Sequence, residues 1–240
     1  MSQQSQSTAW EEMIGILSVL EDRSTIAVVT LLGSLCPITK AHVQAFVEAR
    51  RLFLPSNDEN MGPPGLETFQ EMIGFISVNP DSYVARKFER NGDTLPLTYD
   101  ERVTLVELAI SDAGHHPWMG AEEFEGETCR TLQRHFPNLN FIHFTMNGAD
   151  DVLRHRKWRW ANKNNRFLTM GRKGDTEKVA EAAARAGVNP DFFIMGTELP
   201  DISSTAAREV LLKRDRDALS EMLHPNVMEW CLGHKYWDPS

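Results

Sequence analysis

The sequence predicts an α/β protein: a parallel sheet with helices on both faces. Three observations predict it. Strand-like and helix-like runs alternate almost to the C-terminal end. The first strand-like run, TIAVVTLL at 25–32, is apolar throughout, as a strand covered on both faces must be. Polar turns bearing Gly, Ser and Thr follow several strands, where an open α/β sheet places its ligands.

Residues 1–22 read as a short disordered tail followed by an amphipathic helix, with Trp10, Ile14, Leu17 and Leu20 at helical spacing. The helix is expected to dock on the remainder, residues 23–240, read as a single domain; a dimer contact is the alternative. After the strand at 25–32, KAHVQAFVEARRLF carries Val43, Phe46, Val47 and Phe53 on one helical stripe. The Pro, Gly and Asn content of 55–65 predicts a loop, and EMIGFISV at 71–78 the next strand. SYVARKFERNGDT has weak periodicity and is expected to form a mobile basic excursion. Thr98 and Glu101 form a capping box that starts the helix RVTLVELAI. PWMGAEEF reads as a short strand, ETCRTLQRHF as a helix, and 139–147 and 166–172 as strands. DTEKVAEAAARAGV is helical and closes at Gly187. DFFIMGTEL is the last strand, and two helical stretches split near His224-Pro225 finish the chain.

The 240 residues are 41% hydrophobic and 25% charged, the composition of a soluble globular protein. The net charge of −9 opposes whole-surface binding of nucleic acid or of an anionic membrane. An RNA-binding reading would rest on RHRKWRW alone. No run is long and apolar enough for a membrane span, and the N-terminus lacks the basic start of a secretory signal. Three distant cysteines without C-x-x-C spacing predict a reducing compartment, nucleus or cytoplasm. Neither the cysteines nor His115-His116 has zinc spacing.

Two turns stand out as candidate phosphate sites. After the first strand, Gly33-Ser34-Leu35-Cys36-Pro37-Ile38-Thr39 leads into a helix with His42 one turn in. Gly33 lets a ligand approach the backbone, Pro37 stiffens the turn, and Thr39 suits the N-cap. Helix N-termini bind anions through unpaired N–H groups, and His42 adds a donor. After the last strand, Ser203, Ser204 and Thr205 start a second helix with Arg208 one turn in. Two such helix starts at one sheet edge would clamp a phosphate chain from both sides. Neither a Walker loop nor a G-x-G-x-x-G fingerprint is present. Asn147-Gly148-Ala149-Asp150 follows a third strand, where a carboxylate can accept from ribose hydroxyls.

GSLCPITKAH, GAD and ISSTAAR together resemble the GSFNPIT..H, GAD and ISSTxxR motifs of eukaryotic nicotinamide/nicotinate mononucleotide adenylyltransferases. The likeness runs from about Thr25 to Trp237. It implies a Rossmann-like nucleotidyltransferase fold and the transfer of the adenylyl group of ATP to the mononucleotide. On that likeness His42 and Arg208 are the catalytic pair. Gly33, Ser34 and His42 contact ATP phosphates, with Thr39 and Lys87 joining the ATP set. Thr205 and Arg208 hold the β- and γ-phosphates, Ser203 and Ser204 join the ATP set, and Gly148 and Asp150 border the ribose. Tyr83 in NPDSY resembles the Tyr of the family's GDAY turn; the lysine that follows it there corresponds to Lys87 or Arg86.

The mononucleotide side is implied in the same way. Thr128 resembles the Thr of a W-x-x-T contact, but Glu125 stands where the Trp is expected, with Phe124 beside it. A stacking Trp after GAD corresponds to Trp158, preferred, or Trp160. Arg172 in MGRKG resembles the Arg of VTRAG, and Leu35 and Cys36 replace the family's Phe and Asn. Leu35 is expected to act through its backbone. Mg²⁺, or another divalent cation, is expected with ATP, held through phosphates and water. The expected partners are ATP and the mononucleotide, with a homo-oligomer possible. A different phosphate acceptor, such as phosphopantetheine, and a non-catalytic nucleotide-binding role are the alternatives.

Overall fold

β1 (Thr25–Gly33) lies at the middle of the sheet, and its central residues Ile26 to Val29 are fully buried. The computed structural model describes residues 2–54, 68–90, 92, 97–122 and 128–237. β1 pairs in parallel with β2 (Glu71–Val78) on one side and β4 (Asn140–Gly148) on the other. β3 (Met119–Glu122), β5 (Arg166–Gly171) and β6 (Phe193–Glu198) complete six parallel strands in the order β3-β2-β1-β4-β5-β6. The first three strands step outward from β1; the chain then returns beside β1 and steps the other way. That reversal opens a crevice beyond the carboxyl ends of β1 and β4.

Right-handed crossovers put the helices before and after the reversal on opposite faces. On one face α2 (Lys40–Phe53) and α4 (Tyr99–Asp112) pack with each other. The C-terminal helices α9 (Arg216–Met222) and α10 (Pro225–Leu232) pack on them. On the other face α6 (Ala149–His155) packs with α7 (Thr176–Arg185). Alternation along the strands feeds both layers: Phe167 and Phe193 join the smaller apolar cluster, while Leu168 and Ile194 join the main one. Gly74 shows how closely a helix lies on the sheet, since a Cβ there would sit 2.5 Å from Cδ1 of Phe46 on α2.

The capping box forms as expected. The Glu101 carboxylate accepts the Thr98 N–H at 2.7 Å, and the Thr98 hydroxyl accepts the Glu101 N–H at 3.4 Å. α5 (Thr128–His135) and α8 (Ser204–Lys213) also occupy expected runs. Gly187, expected to close α7, has φ +65°.

Two expectations need correction. The basic excursion is a helix, α3 (Asp81–Glu89), because Val84 and Phe88, four residues apart, are both buried. Asp81 also places a carboxylate in its first turn. The C-terminal region has three helices rather than two, since Arg214 takes a left-handed conformation at φ 53° and ends α8. At the N-terminus the helix α1 spans Ser2–Ser18. It docks through Met13 and Leu17, each 1% exposed, with Met13 against Gly120 of β3. The loop expected at 55–65 lies outside the described residues.

Candidate functional site

The turn after β1 is shaped by its own apolar residue. Leu35 adopts φ +43° and folds its side chain back over Gly33, where a Cβ would meet Leu35 Cδ2 at 2.9 Å. The missing side chain of Gly33 therefore makes room for Leu35 rather than for a ligand. Thr39 is the N-cap of α2, and its N–H donates to His42 Nδ1 at 3.1 Å. An amide can only donate, so Nδ1 accepts and the proton of the neutral ring sits on Nε2. Burial, with the nearby Arg172 charge adding to it, lowers the imidazole pKa from 6.5 to about 4. The ring keeps a partly accessible edge on the cavity. At neutral pH His42 is thus an uncharged donor held by a backbone bond.

The start of α8 is laced to this turn. Ser203 accepts the Ala206 N–H at 3.1 Å as the N-cap. Ser204 Oγ donates to the Pro37 carbonyl at 2.8 Å. Arg208 donates to the Cys36 carbonyl at 2.9 Å and to Thr205 Oγ1 at 3.3 Å, with its guanidinium over the Phe88 ring at 4.6 Å. The jaw contact at Cys36 is therefore made by its backbone. The thiol is buried, and burial raises its pKa to about 11.

Between the two turns lies a cavity of about 590 Å³, within the usual range for a small-molecule site. Its third wall is the end of β4 and the start of α6. Gly148 leaves room there for Asp150, whose Oδ1 would lie 2.7 Å from a Cβ at that position. Arg172 bridges Asp150 at 3.3 Å and Asp201 at 3.2 Å. The wall includes the cations Lys87, Arg154, Lys157, Arg172 and Arg208 against the carboxylates Asp150 and Asp151. This local excess of positive charge stands in a chain of net charge −9. It suits an anionic ligand.

Neither a protein-family model nor the sequence of a curated protein matches the chain. Among solved structures it is similar to Plasmodium falciparum nicotinic acid mononucleotide adenylyltransferase complexed with APC, at 15% identity and a TM-score of 0.55. The match covers 90% of this chain and 98% of that one. The two share a Rossmann-like α/β fold. At this identity the likeness speaks for the fold alone.

Within this fold the cavity sits at the strand-order reversal, and most of the residues singled out in the sequence line it. Ser34, His42, Ser203, Ser204, Thr205 and Arg208 form the two jaws; Gly33 and Leu35 back the first. Gly148, Asp150 and Arg172 form the third wall, and Tyr83 and Lys87 reach in from α3. Lys87 lies 3.4 Å from Ser34 Oγ, whereas Arg86 bonds the Ser82 carbonyl of its own helix.

Four candidates are not in the wall. Thr39 is fully buried; it caps α2 and aims His42. Thr128 is buried at the start of α5. Trp158 is 8% exposed in the smaller apolar cluster, because a 3₁₀ turn at Lys157–Trp160 directs it into that layer. Trp160 is 55% exposed and lies off the cavity. Phe124 and Glu125 lie outside the described residues.

Among the wall residues that the sequence reading did not assign are three charged ones, Asp151, Arg154 and Lys157. Lys157 pairs with Asp151 at 2.6 Å and donates to Asn147 Oδ1. The left-handed Arg156, φ 52°, turns the chain so that Lys157 faces back toward α6. No helical spacing marks such a pair. The only sequence signal was the basic run RHRKWRW.

Proposed function

We propose that the chain transfers the adenylyl group of ATP to nicotinamide or nicotinate mononucleotide, releasing pyrophosphate. The observation that carries this reading is the convergence of two sequence-distant turns, Ser34–His42 and Ser203–Arg208, on one cation-rich cavity at the strand-order reversal. A triphosphate fits between them. Arg208 and Thr205 hold its outer phosphates from the α8 side. His42, through Nε2–H, and Ser34 face it from the β1 side. Asp150 accepts from the adenosine ribose, as a carboxylate beyond a strand end does in dinucleotide folds. Lys87, beside Ser34, joins the ATP phosphates, and Tyr83 on the same helix serves the mononucleotide.

The chemistry needs no protein nucleophile. A 5′-phosphate oxygen of the mononucleotide, already anionic, attacks the α-phosphorus in line. The bond from that phosphorus to the bridging oxygen breaks, and pyrophosphate leaves with the electron pair. The protein's share is positioning and screening of negative charge at the α-phosphorus. A neutral His42 fits this role: it donates a hydrogen bond and transfers no proton. Mg²⁺ with ATP neutralises phosphate charge. The residues fit a cation carried on the nucleotide, since the two cavity carboxylates are engaged by Arg172 and Lys157. No group of metal-ligating side chains occurs among the described residues.

One observation favours a second reading, in which the same fold adenylylates a different phosphate. Trp158 and Trp160, the candidates for stacking on a pyridine ring, both lie off the cavity wall. Of the two aromatic wall residues, Phe88 lies under Arg208, which leaves Tyr83, 48% exposed, to take that ring. The test is a product assay with ATP, Mg²⁺ and each of nicotinamide mononucleotide, nicotinate mononucleotide and 4′-phosphopantetheine. A dinucleotide from either pyridine acceptor supports the first reading. Turnover of phosphopantetheine alone supports the second. ATP binding by titration calorimetry without turnover of any acceptor would reduce the chain to a nucleotide-binding protein.

A further inference from the structure

We propose that Arg102, remote in sequence from both phosphate-site turns, is a positioning residue that clasps the Ser34 turn to α3 and so sets the acceptor side of the cavity. Its kinetic consequence rests on the adenylyl-transfer reading; its structural consequence does not. Arg102 lies on α4 and is fully buried, at 0% exposure. One guanidinium nitrogen donates to the Ser34 carbonyl at 3.0 Å, and another to Asp81 Oδ1 at 2.7 Å. Asp81 opens α3, the helix that carries Tyr83 and Lys87 into the wall. The same helix supplies Phe88, the ring beneath the Arg208 guanidinium. A single side chain thus ties together the first jaw and the helix that touches both jaws.

Stability does not account for an arginine at this place. The ion pair joins a fully buried guanidinium to an Asp81 side chain that is 47% exposed. The cost of desolvating the buried cation is then only partly offset, and an apolar side chain of similar volume is often neutral or better. What an apolar residue cannot do is hold two separate elements at fixed directions. A planar fork with several donors does that; a lysine is a point charge on a flexible stem. The Ser34 carbonyl and the Asp81 carboxylate belong to different elements, and the fork sets the distance between them. Lys87, 3.4 Å from Ser34 Oγ, depends on that distance.

Two measurements on Arg102→Met, Arg102→Lys and Asp81→Asn test the clasp. The first is amide hydrogen exchange. In Arg102→Met the α3 amides are expected to exchange about tenfold faster, with β1 and β2 amides and the thermal midpoint nearly unchanged. Asp81→Asn should move α3 in the same direction by less, and Arg102→Lys should fall between Met and wild type. The second is a double-mutant cycle on kcat/KM: the factor lost on Lys87→Ala should shrink in the Arg102→Met background, since Lys87 is then no longer held in place. Unchanged α3 protection in both Arg102→Met and Asp81→Asn overturns the proposal, as does an undiminished Lys87→Ala effect. If Arg102→Met does not fold, Asp81→Asn and Arg102→Lys decide by the same criteria. An inactive wild-type chain would refute adenylyl transfer, and the exchange data would still decide the clasp.

Discussion

His42 does two things that one substitution removes and another separates. Its Nδ1 takes the Thr39 N–H at 3.1 Å, which closes the first turn of α2. Its Nε2–H faces the cavity, where it can donate to phosphate. His42→Ala removes both. Loss of the capping contact should cost about 1 kcal/mol of stability. Loss of a donor to developing negative charge should lower kcat by about 10²–10³, or roughly 3–4 kcal/mol. His42→Gln keeps a side-chain oxygen at the third helical position, so it should restore most of the stability and little of the rate.

The ring's lowered pKa adds a pH signature. Unfolded His42 binds its proton below about 6.5, whereas the folded ring does so only near 4. Between these values the unfolded state holds more protons, so stability rises with pH. The contribution is complete above about 6.5 and is lost as pH falls toward 4. It is on the order of 3 kcal/mol at most, and less because the cavity edge of the ring keeps solvent contact. Urea unfolding at several pH values between 4.5 and 7 should show a slope in wild type that His42→Gln reduces, the remainder coming from His116, His143 and His224, whose pKa values burial also lowers. A His42→Ala variant that retained most of its kcat/KM would remove His42 from the mechanism.

Two further substitutions probe separate parts of the structure. Gly148→Ala is compatible with its backbone, φ −81° and ψ 150°, but its Cβ would fall 2.7 Å from Asp150 Oδ1. It should displace that carboxylate and weaken ATP binding about tenfold by calorimetry, the scale of one lost hydrogen bond, with little change in Tm. Gly74→Ala would drive a Cβ to 2.5 Å from Phe46 on α2, and neither residue lines the cavity. Overpacking of this kind should cost about 1–3 kcal/mol in urea unfolding and leave kcat of the remaining folded enzyme near wild type.

The strands were legible because a parallel sheet covered on both faces leaves continuous apolar runs bounded by turns. The run EMIGFISV coincides with β2 residue for residue. The caps were legible because their chemistry is local: Thr98 and Glu101 need only three residues of separation to find each other. α3 was not legible, since only Val84 and Phe88 bury and the rest of its face is polar. Two buried positions make too weak a period to read. The tryptophans misled for the opposite reason. RHRKWRW offers two aromatic residues close after the Gly148–Asp150 turn, and nothing local says that one of them fills the smaller apolar layer.

By itself the chain's order of residues determined the strand-helix alternation, the two hydroxyl-bearing helix starts and the residues His42 and Arg208 at their first turns. These are short-range properties, written in periodicity and capping chemistry within a few neighbours. Only the tertiary structure decided that the two turns meet and that Thr39 caps rather than lines the cavity. It alone showed Lys157 reaching back to Asp151, and Arg102 joining Ser34 to Asp81. The meeting of the two turns and the Arg102 clasp join residues far apart in sequence, which come together only once the sheet has set its strand order and the chain has closed around it.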